Sequence, residues 1–139
     1  MPRIAQTIRY REGYKYALHE SYSVQTAIVP EKFIFSDFLR LDTDGVLYIK
    51  AGYSWDGPSG PAFDTPNFMR ASLVHDALYQ LMREGHLDAD KWRAKADDEM
   101  YRLCREDGMT AIRAWWCYQG VRIGGYEAAT KPKAVLEAP

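Results

Sequence analysis

Cysteine and histidine are scarce in this chain, which has two cysteines, Cys104 and Cys117, and three histidines. With no Cys-x-x-Cys pair, a cysteine-ligated zinc site is disfavoured, and both cysteines read best as small buried apolar residues in a reducing compartment. An excess of one charge is also lacking. Eighteen Lys and Arg stand against nineteen Asp and Glu, so composition supplies no field for nucleic acid. A nucleic-acid binder would need a basic aromatic groove instead. No apolar run approaches membrane-spanning length, and Met1-Pro2-Arg3-Ile4-Ala5-Gln6 has no hydrophobic signal core. The expectation is a soluble protein made in a cytoplasm, without a transmembrane segment. No internal repeat interrupts the chain.

What is present suffices for one genuine core. Of the 139 residues, 47% are hydrophobic and 14% aromatic, which argues against global disorder. The first third alternates with period two. Tyr14, Tyr16 and Leu18, then Tyr22, Val24, Thr26 and Ile28, read as half-buried strands, and Phe33 and Phe35 continue the pattern beyond Pro30. Leu39-Arg40-Leu41 and Val46-Leu47-Tyr48-Ile49 flank Asp42-Thr43-Asp44-Gly45, a hairpin signal. An antiparallel sheet with Tyr and Phe on one face is expected.

From Pro66 the period becomes helical. Asp64-Thr65-Pro66 offers a cap and a first-turn proline for a helix that Gly85 stops. Asp88 caps a second helix that ends at Gly108. Thr110 caps a third, Ala111 to Ile123, closed by Gly124-Gly125. Its Trp115-Trp116-Cys117-Tyr118 cluster is expected to pack into the core. The whole reads as α+β, an N-terminal antiparallel sheet followed by a three-helix C-terminal half. Residues 1–127 form one globular domain, and 128–139 form a mobile tail.

The candidate site lies in the first helix. Ala71-Ser72-Leu73-Val74-His75-Asp76-Ala77-Leu78-Tyr79 is almost entirely apolar apart from His75 and Asp76, whose burial is costly unless both are paired. His75 and Tyr79, four apart, share a face, whereas Asp76 is rotated by about 100°. One consistent arrangement points Asp76 at the loop Gly52 to Pro61 and His75 at Asp97 on the second helix. A carboxylate on one imidazole nitrogen leaves the other to take a proton from water. A carboxylate beside loop carbonyls suits a hard cation such as calcium. The same residues also suit a satisfied structural network tying helices to loop. Asp56 and Ser59 read as turn-formers. A triad using Ser59 would lack the usual strand-to-helix elbow. Arg83, Glu84, Lys91, Arg93 and Lys95 read as solvated helix faces.

This order of Gly/Pro loop, helical His-Asp with Tyr four residues after His, and Ala-Asp on a second helix resembles the phospholipase A(2) superfamily. The nearest likeness is to the compact form found in parvovirus capsid proteins. The resemblance covers roughly Gly52 to Tyr101. It implies His75 as general base, Asp97 as its orienting partner and Tyr79 as a hydrogen-bond donor to Asp97. It also implies Asp76, with carbonyls of the Gly57, Ser59 and Gly60 region, as a calcium site. Pro58 and Pro61 depart from it, because they lack the backbone N–H that an oxyanion hole uses.

A likeness over most of the chain is to a phage and prophage family, the domain of unknown function numbered 1353. Gly52, Asp56-Gly57-Pro58-Ser59-Gly60-Pro61, Leu73 to Tyr79, Ala96-Asp97 and Tyr118-Gln119-Gly120-Val121-Arg122 carry it. Together the resemblances imply a phage protein that is a calcium-dependent lipid or ester hydrolase. The alternative is a non-catalytic virion or accessory protein using the same residues structurally. The implied partners are phospholipid or other virion proteins. The implied location is the host cytoplasm or the virion.

Overall fold

The computed structural model describes residues 8, 10–11, 16–55 and 66–130. Strands come first: β1 (Tyr10–Arg11), β2 (Tyr16–Leu18), β3 (Tyr22–Gln25), β4 (Ile34–Phe35), β5 (Leu39–Leu41), β6 (Val46–Ile49) and β7 (Ser54–Trp55). Three helices follow: α1 (Pro66–Arg83), α2 (Ala89–Glu106) and α3 (Ala111–Thr130). The fold is therefore α+β. In place of one sheet there are two, both antiparallel, with strand orders β1-β2-β7 and β3-β6-β5-β4.

Period two sets the inner face of the larger sheet. Tyr22, Val24, Ile34, Leu39, Leu41, Leu47 and Ile49 are buried in one layer. The β5–β6 hairpin closes as its Asp-Gly predicts, with Gly45 at φ +90° donating its N–H to Asp42 O. The expectation for the phenylalanines is corrected. Ile34 takes the core position, and Phe33 and Phe35 are 52% and 62% exposed. Tyr22 therefore points to the core and Phe35 to the outer face. There Arg40 stacks between Phe35 and Tyr48, its guanidinium carbon 5.3 and 5.2 Å from the ring centroids.

The helices begin and end where their local chemistry dictates. Pro66 opens α1, Asp88 caps α2 by accepting from Asp90 N–H, and Thr110 Oγ1 accepts from Arg113 N–H. Gly85 and Gly108, both at positive φ, close the first two. Successive contacts from Arg70 to Asp107 and from His75 to Asp97 run in opposite senses, so α1 and α2 pack antiparallel. α1 is the central element, buried on most of its circumference. Two expectations for α3 fail. The helix continues through Gly124-Gly125 to Thr130, across the expected start of the tail, because glycine weakens a helix by only about 1 kcal/mol and packing overrides that. Trp115 and Trp116 are 48% and 63% exposed, while Ala114 and Cys117 take the inward positions.

A charged group missed in the sequence holds sheet and helices together. Arg70, immediately before the apolar run Ala71 to Tyr79, is buried. It donates to both carboxylate oxygens of Asp107 at 3.0 and 2.9 Å, to Glu106 at 2.9 Å and to Tyr22 Oη at 2.9 Å. Four hydrogen bonds to three residues offset the desolvation that a lone buried guanidinium would suffer.

Candidate functional site

The four-residue spacing of His75 and Tyr79 puts both rings over the same turn of α1, centroids 4.1 Å apart. Both meet Asp97 of α2. His75 Nε2 lies 2.7 Å from Asp97 Oδ1, and Tyr79 Oη donates to the same oxygen at 2.6 Å. Asp97 is fully buried.

Its second oxygen is held by residues that the sequence reading did not assign. Arg122 of α3 donates to Oδ2 at 2.8 Å, and Arg93, one turn before Asp97, lies 3.7 Å from it. Arg93 therefore belongs to the site and not to a solvated face, with its side chain only 16% exposed. The signal for Arg93 was its four-residue spacing to a buried acid. The signal for Arg122 was a motif arginine on a largely apolar helix. Gly125 permits this packing, since a Cβ there would stand 2.5 Å from Tyr79 Oη and 3.2 Å from Arg93 Nη1.

Electrostatics follow from these contacts. Burial by itself would raise the Asp97 carboxyl. Hydrogen bonds from His75, Tyr79 and Arg122 outweigh it and hold the group below its ordinary range. Burial, followed by the Asp97 carboxylate, pushes the Tyr79 phenol upward. An ionised Asp97 is acceptor-only, so His75 must present Nε2–H to it, and in the neutral ring the lone pair then lies on Nδ1. Nδ1 has no partner among the described residues, where no buried side-chain nitrogen or oxygen is left unsatisfied. Nδ1 is therefore not fully sealed from solvent, although His75 as a whole is only 8% exposed.

Asp76 leaves α1 in another direction and is half-buried. One turn before it, Ser72 accepts from Trp55 Nε1 at 3.0 Å. One turn after it, Gln80 accepts from Tyr53 Oη at 3.0 Å. Asp76 thus lies on the face of α1 turned toward the strand that leads into residues 56–65. Gly57, Ser59 and Gly60, expected to complete a cation site, lie outside the described residues, as do Asp56, Pro58 and Pro61. Among the described residues no three His, Cys, Asp or Glu side chains converge on a metal position. Cys104 and Cys117 are buried, and burial pushes the Cys104 thiol up to about 12, so neither offers a thiolate nucleophile. Among the described residues no helix is long and apolar enough to cross a membrane.

Residues 33–121 match the family described as Protein of unknown function (DUF1353). No curated protein and no solved structure matches the chain.

Proposed function

The chain belongs to the DUF1353 family, a membership that assigns no chemistry, and we propose from the site itself that it hydrolyses a phospholipid or another ester with His75 as general base. The observation that carries this reading is the asymmetry of the imidazole. Nε2 is fixed by a buried carboxylate, while Nδ1 has a lone pair and no partner among the described residues. Such an imidazole can take a proton from water at Nδ1 while water oxygen attacks an ester carbonyl. Asp97 orients the ring and stabilises the positive charge that develops on it. Tyr79 and Arg122 hold Asp97 ionised and in place. The roles of His75, Asp97 and Tyr79 are those that the resemblance to phospholipase A(2) implies.

Calcium is part of the proposal. Asp76, on the face of α1 turned toward β7, is a hard-oxygen donor of the kind that suits that ion. Asp76 would hold it with carbonyl oxygens of Gly57, Ser59 and Gly60, and it would polarise the ester carbonyl there.

A second reading is favoured by the reach of Asp97. It joins α1, α2 and α3 through His75, Tyr79, Arg93 and Arg122, as a purely structural tie would. On that reading the protein is a phage virion or accessory component. One pair of samples separates the two. His75→Gln should abolish hydrolysis of phospholipid vesicles or an activated ester while the melting temperature stays nearly unaltered. A wild type inactive on several lipid classes with calcium present, together with a destabilised variant, refutes the enzyme reading. Calorimetric titration tests the ion separately. Calcium heat should appear with the wild type and vanish in Asp76→Asn, and unchanged heat in the variant rejects Asp76 as a ligand.

A further inference from the structure

The outer face of the four-stranded sheet carries a basic and aromatic cluster that the His75 site does not use. Strand register fixes its rows. Ser23, Tyr48, Arg40 and Phe35 stand side by side across β3, β6, β5 and β4. Lys50 donates its backbone N–H to Phe38 O, which sets those two residues in the next row. Phe33, two residues before Phe35, shares its face. Phe33, Phe35 and Phe38 are 52%, 62% and 40% exposed, and Arg40 and Lys50 are exposed as well. Tyr22, on the opposite face, is bonded to Arg70 of α1, so the cluster turns away from the helices.

The two cations have rings for neighbours and no acids. The Arg40 guanidinium lies between Phe35 and Tyr48, and Lys50 Nζ is 5.9 Å from the Phe38 ring centroid. Neither head group has a hydrogen bond, and no carboxylate oxygen comes within 4 Å of either. Arg40 and Lys50 are diagonal neighbours on β5 and β6, about 7–8 Å apart. Two unneutralised like charges at that spacing create a local positive field that the balanced composition conceals. The acids of this face stand at its ends. Asp42 and Asp44 are turned into the β5–β6 hairpin, where Oδ1 of each accepts a backbone N–H, and Asp37 is at the tip of the β4–β5 turn. Held in one plane between two rings, the Arg40 fork is preorganised to receive a phosphate.

We propose that this face binds single-stranded nucleic acid, with phosphates on Arg40 and Lys50 and bases stacked on the exposed rings of Phe33, Phe35 and Phe38. Cations interleaved with rings are what such a ligand requires, and every base has a π face to stack. Four strands at about 4.8 Å spacing make a row about 14 Å long. That row has room for two or three nucleotides, as on other four-stranded aromatic sheets. A membrane fits worse. The guanidinium is in the middle of the ring cluster, and insertion would carry it into hydrocarbon, whereas an interfacial surface keeps its cations on the polar side.

Anisotropy of fluorescent oligothymidylate and oligouridylate octamers, titrated with the full chain, tests this. Binding should fall in the range of about 1–100 µM at low salt, with a log–log salt slope of about −1.4 from two phosphate contacts. Arg40→Gln and Lys50→Gln should each reduce that slope to about −0.7. Phe35→Leu keeps apolar bulk but removes the ring, and should weaken binding at least about fivefold with the slope unchanged. All three positions are exposed, so the variants should keep the melting temperature of the wild type. No anisotropy change up to about 500 µM protein overturns the proposal, as does binding indifferent to these variants. So does a duplex bound as tightly as the single strand, because a purely electrostatic face prefers the denser charge of the duplex. Displacement by poly-L-glutamate as effectively as by unlabelled octamer would assign the cations to an acidic protein and overturn it. Flotation with anionic phospholipid vesicles that is lost in Phe35→Leu would assign the face to lipid and overturn it equally.

Discussion

Replacing Asp97 by asparagine keeps the shape of the side chain and removes its charge, which isolates what the carboxylate contributes. In the native protein Oδ1 takes His75 and Tyr79 at 2.7 and 2.6 Å, and Oδ2 takes Arg122 at 2.8 Å. Hydrogen bonds to a charged group contribute roughly 1.5–3 kcal/mol each. Asparagine keeps one carbonyl oxygen, so the His75 and Tyr79 bonds weaken without vanishing. Its amide N–H₂ faces the Arg122 guanidinium, where no hydrogen bond can form. Arg122 is 30% exposed, so water recovers part of its loss and that bond counts at the low end. The expected loss is about 3 kcal/mol, in line with breaking a buried ion pair from one side. Urea unfolding followed by the emission of buried Trp55 and Trp92 should then show the midpoint falling by about 1.5–2 M.

The pH dependence carries an independent sign. The folded Asp97 carboxyl titrates below its unfolded value, so its contribution is complete above about pH 4 and is lost as pH falls through the folded value. The part of the gap between wild type and Asp97→Asn that the Asp97 charge supplies should therefore shrink as pH falls below about 4. A loss under about 1 kcal/mol at pH 7, or a gap as wide at pH 3 as at pH 7, refutes the reading of Asp97 as an ionised hub.

Two further predictions concern packing around the same elements. Gly125→Ala would ordinarily stabilise a helix interior by about 1 kcal/mol, but its Cβ meets Tyr79 Oη at 2.5 Å, so it should destabilise by about 1–2 kcal/mol. In the Tyr79→Phe background that penalty should shrink by at least about 1 kcal/mol, and a thermal double-mutant cycle reads the coupling. Arg70→Met should cost about 3 kcal/mol in chemical denaturation, because Asp107, Glu106 and Tyr22 lose a shared buried donor. A change within about 0.5 kcal/mol would mean that the acids simply turn to solvent.

Elements whose cause is local were legible in the sequence. A hairpin at Asp44-Gly45, caps at Asp88 and Thr110, and stops at Gly85 and Gly108 depend on backbone geometry within a few residues. The shared face of His75 and Tyr79 follows from helical spacing. Asp97 as the partner of His75 followed from the cost of burying an imidazole alone, which demands some acceptor on the facing helix, while its bond from Tyr79 was implied only by the resemblance to phospholipase A(2). Tertiary structure decided what depends on distant chain. Arg122 reaches Asp97 only because α3 packs over α2, and Arg70 is buried only because Asp107, Glu106 and Tyr22 converge on it. The tryptophans of α3 show the same division from the other side. Composition made Trp115 and Trp116 look like core, but an apolar helix can bury only the face its neighbours cover, and that choice was settled by the small Ala114, Cys117 and Gly125 that let α3 approach closely. Periodicity records which residues share a face, whereas burial records which face another element has found.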